Sequence, residues 1–212
     1  LAQDAVADFV GQIQTLAVLF QHIHHPEALL IVAERLSQTS GQRHLTGMAE
    51  GSMAQIMTHG NGLCQIFVET IYISPAGEVF KGFNAKDGMG ISCALRNNLQ
   101  IAVITGRQSP IVERRCEELG IKLFMQGVKD KRLALQQMAQ ELGLTREEIA
   151  YMGDDLNDIP AFKASGLNFV PADGSIEVLA VADIITKAKG GRGAVREAIT
   201  MILAAHVFCR SF

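Results

Sequence analysis

Paired cysteine spacing is missing from this chain. Cys64, Cys93, Cys116 and Cys209 stand far apart, so neither a zinc cluster nor a dithiol couple is expected, and scattered single thiols suit a reducing cytoplasm better than a disulfide framework. No apolar run reaches the roughly 18 residues that a membrane span needs. Positive charge is not in excess either: the formal net charge is −3, which offers nothing to nucleic acid or to an acidic membrane. Asp4 and Asp8 sit where a secretory leader requires cations, so no signal peptide is expected. The methionines form no stripe and read as core filler. His22, His24 and His25 put only two rings on one helical face with no carboxylate beside them, which favours a solvated cluster over a metal site. The most consequential gap is in aspartate: none occurs between Asp8 and Asp87.

What is present changes character near residue 60. Ala2, Val6, Phe9, Val10, Ile13, Leu16, Ala17 and Phe20 recur at helical spacing and predict an amphipathic helix over 2–23. Pro26 opens a second helix over 27–38. Residues 39–62 lack periodicity and read as loop. The expected organisation is a helical or irregular segment over 1–62, an α/β domain over 63–206 and a tail over 207–212. In that domain, 70–74 and 78–83 are β-like runs joined by Pro75-Ala76-Gly77, a hairpin signal. Helices are predicted over 88–99, 110–119, 131–142 and 194–205, with strands at 101–105, 122–125, 149–152, 168–170 and 183–186. Such alternation means a parallel sheet with helices on both faces, and such sheets bind ligands at the carboxyl ends of their strands.

Three strand ends suit phosphate chemistry. After Ile101–Ile104 come Thr105, Gly106 and Arg107: a hydroxyl beside free amides for a phosphoryl oxygen, and a guanidinium for a bidentate anion contact. Lys131 opens the helix after the next strand, where it can neutralise a carboxylate and a phosphate together. The third is stronger. Ile149–Met152 leads into Gly153-Asp154-Asp155-Leu156-Asn157-Asp158, and three carboxylates so crowded repel one another unless a cation lies between them. All-oxygen ligands select magnesium rather than zinc. A surface turn with an arginine, an ordinary lysine, and a polar loop with Asp158 capping a helix at Ile159-Pro160 are the plainer readings of the three.

Taken in order, these strand ends resemble three of the motifs of the haloacid dehalogenase superfamily. The texts Tyr72–Asn84, Lys86–Ile91 and Gly190–Glu197 narrow the resemblance to the 3-deoxy-D-manno-octulosonate 8-phosphate phosphatase family, over about Thr70–His206. The resemblance implies a capless, Rossmann-like phosphatase fold with a projecting hairpin, cytoplasmic and acting in lipopolysaccharide sugar synthesis. It implies that Asp154 holds Mg2+, supported by Asp155 and Asp158, and that Thr105, Gly106 and Lys131 bind the phosphoryl group. Arg107 would recognise a phosphorylated sugar acid, and the segment around Arg192 and Arg196 would help shape that substrate-binding pocket. The hairpin over 70–83 would build a homotetramer in which a neighbouring subunit closes each site. The related acylneuraminate 9-phosphate phosphatases, and the similar module of cytidylyltransferases, share these features.

One motif is absent. Superfamily members place an Asp-x-Asp strand end a few residues before the hairpin: the first aspartate attacks phosphorus, and the second serves as general acid and base. Ungapped alignment puts Asn61 and Leu63 there. Asn61 has no anionic oxygen and Leu63 no proton to give. Glu69 abuts the hairpin with an extra methylene, a poor substitute where an ångström costs about a hundredfold. The expectation is a dead or severely impaired phosphatase; a pseudo-enzyme that binds sugar acid or serves assembly is the alternative. A break in the text before Thr70 would also account for the gap. Leu63–Val68 is apolar enough to fill a central strand.

Overall fold

The computed structural model describes residues 71–209, with side chains described as far as residue 204. The readings for 2–23, 27–38 and 39–62, the strand reading of Leu63–Val68, and Asn61, Leu63 and Glu69 lie outside the described residues.

Two strands open the described fold, β1 (Ile71–Ser74) and β2 (Gly77–Lys81), paired antiparallel. The turn works because Gly77 takes φ of 114°, which a side chain would resist, and because Ser74 Oγ accepts from Ala76 N at 3.2 Å. Five further strands alternate with helices: α1 (Ala85–Arg96), β3 (Ala102–Ile104), α2 (Pro110–Leu119), β4 (Leu123–Met125), α3 (Lys131–Leu142), β5 (Ala150–Met152), α4 (Ile159–Phe162), β6 (Leu167–Val170), α5 (Ile176–Leu179), β7 (Ile184–Ile185) and α6 (Ala194–Cys209). The α/β alternation with parallel pairing is as the sequence indicates. Among the described residues the parallel strands form two hydrogen-bonded groups, β3–β4 and β5–β6–β7.

The two groups share their cores. Val103 of β3 packs with Ala150 and Met152 of β5 on one face, under α1, α2 and α6. Ala102 and Ile104 join Tyr151 and Val170 on the other, under α3 to α5. This alternation along three-residue strands is the period-two pattern of sheets buried on both faces.

Local chemistry sets the helix ends. Ser109 caps α2 before Pro110, and Asp130 caps α3 by accepting Leu133 N at 3.0 Å. Gly120 and Gly143 close them with φ of 74° and 67°. Helix α1 begins at Ala85, three residues before the predicted start, because the Asn84 side chain accepts Lys86 N at 2.8 Å. Gly88 and Gly90 are thus interior. Both are there for close packing: a Cβ on Gly90 would lie 3.1 Å from Arg196 Cα of α6.

Candidate functional site

The carboxyl end of β5 is built around Asp158. Asp155 to Asp158 form a capping box: the Asp155 side chain accepts the Asp158 amide, and Asp158 Oδ2 accepts Asp155 N at 3.3 Å. Oδ2 also accepts Asp154 N at 3.2 Å, and Asp158 N bonds back to the main-chain Asp155 O at 2.8 Å. The other oxygen, Oδ1, accepts Lys131 Nζ at 2.7 Å and Tyr151 Oη at 2.7 Å. Asp158 is fully buried and Lys131 is 6% exposed, so the pair is a desolvated one. Removing either partner from such a pair leaves an uncompensated charge. Lys131 Nζ also donates to Asn157 Oδ1 at 3.3 Å.

Gly153 allows this loop to close. A Cβ there would strike Asp158 Cβ and lie 2.7 Å from its Cγ and 2.9 Å from Phe162 Cε1. Gly153→Ala is expected to lower stability by about 1–3 kcal/mol, the usual cost of overpacking, measured as a shift in urea midpoint at unchanged slope.

With both Asp158 oxygens engaged by protein donors, the carboxylates do not close on a common point. Among the described residues, no three or more His, Cys, Asp or Glu side chains stand close enough to hold a metal ion together. Asp155 caps its own turn, its Oδ1 accepting Leu156 N at 2.8 Å. That leaves Asp154, which faces solvent at the strand end. Desolvation by its neighbours, then the negative charges of Asp158 and Asp155, push its carboxyl up to about 6, with Lys131 offsetting part of the rise; because the side chain reaches water, solvent screening tempers this. Beside it, Ser175 donates its amide to Asp154 O at 2.9 Å while its own buried hydroxyl has no partner. Magnesium is commonly held by one or two carboxylates completed by water and phosphate. A crowded Asp154 and an orphaned hydroxyl among oxygen donors fit that ion.

Thr105 ends β3. Its amide donates to Met125 O at 2.9 Å, its carbonyl accepts Val128 N at 3.0 Å, and its Oγ1 accepts Arg107 N at 3.3 Å, leaving the hydroxyl proton to donate outward. Gly106 and Arg107 are exposed on the turn that follows, and Arg107 O accepts Gly127 N at 3.4 Å. Helix α3, which carries Lys131, packs on β3. Arg192 is exposed on the loop before α6. Arg196 lies along its own helix, with Nε on Thr200 Oγ1 at 3.3 Å, which engages it in α6 rather than at Asp154. Sequence reasoning missed Tyr151 and Asp87. A tyrosine within an apolar buried strand was the available signal for the first, since a buried phenol needs a partner.

A family model for haloacid dehalogenase-like hydrolases matches residues 123–199. The 3-deoxy-D-manno-octulosonate 8-phosphate phosphatase of Salmonella typhi is 43% identical over 135 residues, which is 64% of this chain and 72% of that relative. The chain belongs to the 3-deoxy-D-manno-octulosonate 8-phosphate phosphatase family. That family is one of phosphatases within the haloacid dehalogenase-like hydrolases, as the strand-end motifs indicate. Solved structures agree. The cobalt-bound octulosonate phosphatase of Haemophilus influenzae superposes with a TM-score of 0.69 at 36% identity, over 72% of this chain and 92% of that one. The enzyme of Moraxella catarrhalis, solved with magnesium, phosphate and the sugar acid KDO, gives a TM-score of 0.68 at 33% identity, over 80% and 97%. Divalent metal thus accompanies the fold in two neighbours of this octulosonate phosphatase-family chain.

Proposed function

We propose that the chain is a magnesium-dependent octulosonate-phosphate phosphatase by descent, able to bind a phosphorylated sugar acid and severely impaired in hydrolysing it. The observation that carries this reading is the buried Lys131–Asp158 pair at 2.7 Å, which fixes an ammonium beside Asp154 where a sheet of this kind takes its ligand. Thr105 and the Gly106 amide receive the transferring phosphoryl group, with Lys131 neutralising its charge. Arg107 and Arg192 take the sugar acid's carboxylate. Asp154 holds Mg2+, with Asp155 and Asp158 shaping the loop that presents it. Bound there, the ion would supply Lewis-acid charge stabilisation to the phosphoryl oxygens.

Attack on phosphorus is the step without a residue. Among the described residues, no carboxylate other than those of the Asp154 loop stands in contact with Lys131. Asn61 and Leu63 lack the chemistry of the aligned positions. The test pairs two measurements on the full chain. Titration with 3-deoxy-D-manno-octulosonate, Mg2+ and phosphate should show binding, while turnover of the 8-phosphate should match that of Asp154→Asn. Turnover well above that variant would overturn the impairment; absence of binding would overturn the site.

The hairpin supports an assembly role in this capless fold. Tyr72 and Phe80, paired across the strands, stack at 4.1 Å between ring centroids, and Ile73 and Val79 are 66% and 53% exposed; a hairpin with so many exposed apolar side chains suits burial against other copies. Sedimentation equilibrium should return a tetramer for the native chain and smaller species for Phe80→Glu. A tetramer that survives this substitution excludes the hairpin as its contact.

A further inference from the structure

Residues 186–193 join β7 to α6 and carry Lys187, Lys189 and Arg192, all exposed. A surface loop with glycine at 190, 191 and 193 ordinarily gives its amides to water. Here carboxylates take them. Glu197, one turn into α6, accepts Lys187 N and Ala188 N, each at 2.9 Å. Asp173, from the loop after β6, accepts Gly190 N at 2.8 Å. Asp87, in the first turn of α1 and 6% exposed, accepts Gly193 N at 3.1 Å and Arg196 N at 2.8 Å. Arg192 N itself closes a turn on Lys189 O at 3.0 Å, and Gly191 and Gly193 supply φ of 66° and 111°.

The anchors come from three elements, and all lie at the edge of the sheet that carries Asp154. Asp173 follows β6, Glu197 sits in the first turn of the helix after β7, Asp87 reaches the start of that helix by its bonds to Gly193 N and Arg196 N, and Ser175 ties the β6 loop to Asp154 O at 2.9 Å. Hydrogen bonds and chain therefore run without interruption from Asp154 through Ser175 and Asp173 to Gly190 and Arg192. Fixing a recognition loop before its ligand arrives removes the ordering cost that binding otherwise bears.

We propose that Asp173, Glu197 and Asp87 are positioning residues for sugar-acid recognition, fixing the backbone of the 187–193 loop that carries Arg192 against the β6 loop tied to Asp154. They act through Arg192 and do not touch the ligand. The proposal rests on the sugar-acid reading of the site.

The experiment is calorimetric titration of the full chain with 3-deoxy-D-manno-octulosonate in Mg2+ and inorganic phosphate, alongside amide hydrogen exchange. Arg192→Ala should weaken sugar-acid binding about tenfold, the loss of one charge-assisted contact. Asp173→Ala and Glu197→Ala, which remove the accepting oxygens, should each weaken it about three- to tenfold and release the amides they hold, with phosphate binding unchanged. Arg192→Ala combined with Glu197→Ala should be no weaker than Arg192→Ala alone, because coupled residues are not additive. Full-strength binding by a variant whose loop amides exchange freely, or additive losses in the double variant, overturns the positioning role and leaves the sugar-acid reading standing. Retained protection in the variants overturns the brace. A native chain that binds phosphate but no sugar acid overturns the reading beneath it, and the positioning role with it.

Discussion

Lys131→Met should destabilise the protein by about 3–5 kcal/mol, the cost of leaving one half of a buried ion pair without its partner. Asp158 is fully buried, and its Oδ1 would retain only the Tyr151 hydroxyl of its two close donors. Methionine keeps the length and apolar stem of lysine, so the loss reports charge rather than a cavity. Lys131→Met with Asp158→Asn should recover a large part of the stability, since the charge is then gone from both sides, but not phosphate binding, which needs the ammonium. Chemical denaturation gives the first quantity and phosphate titration the second. A stable Lys131→Met protein would mean that the pair is better hydrated than its burial implies, and full phosphate binding by the double variant would remove Lys131 from the ligand site.

Asp154→Asn should abolish the stabilisation that Mg2+ gives in the presence of phosphate. A ligand at a hundred times its dissociation constant stabilises the folded state by about 2.7 kcal/mol; at roughly 2–4 °C per kcal/mol, the native chain should melt some 5–10 °C higher with the ion than without it. The variant should show no such shift while melting normally in its absence, because Asp154 makes its fixed contacts through the main chain: its amide to Asp158 Oδ2 and its carbonyl to Ser175 N. Asp155→Asn should keep most of the shift, since its Oδ1 caps Leu156 N rather than offering itself to an ion. An unchanged Mg2+ effect in Asp154→Asn would place the ion elsewhere.

The two predictions separate what this chain retains from what it lacks. A relative 43% identical over the shared 135 residues carries the family's name as a phosphatase. On the function proposed above, Asp154 and Lys131, with Asp158 holding the lysine, serve binding, while Asn61 and Leu63 offer no group able to attack phosphorus. Binding and turnover should therefore part company in this protein, which a fold alone never decides.

Composition, alternation of strands with helices, and the texts at three strand ends were enough to establish a parallel α/β fold and the phosphatase family. These are local signals. Helices α2 and α3 fall at their predicted bounds because Ser109-Pro110 and Asp130-Lys131 start them and Gly120 and Gly143 stop them, all within a few residues of chain. The start of α1 was misread because Gly88 and Gly90 look like a boundary until Arg115 and Leu119 of α2 are seen packed against the first and Arg196 of α6 against the second. Three nearby aspartates likewise read as equals. Only the fold shows that Asp158 belongs to Lys131 and Tyr151, Asp155 to its own turn, and Asp154 to solvent, because burial and the approach of a lysine 27 positions away determine which charge is already compensated. The same holds for Asp87, whose bond to Arg196 N spans 109 positions. Spacing along a chain fixes short-range hydrogen bonds; which buried charges meet depends on how distant elements pack.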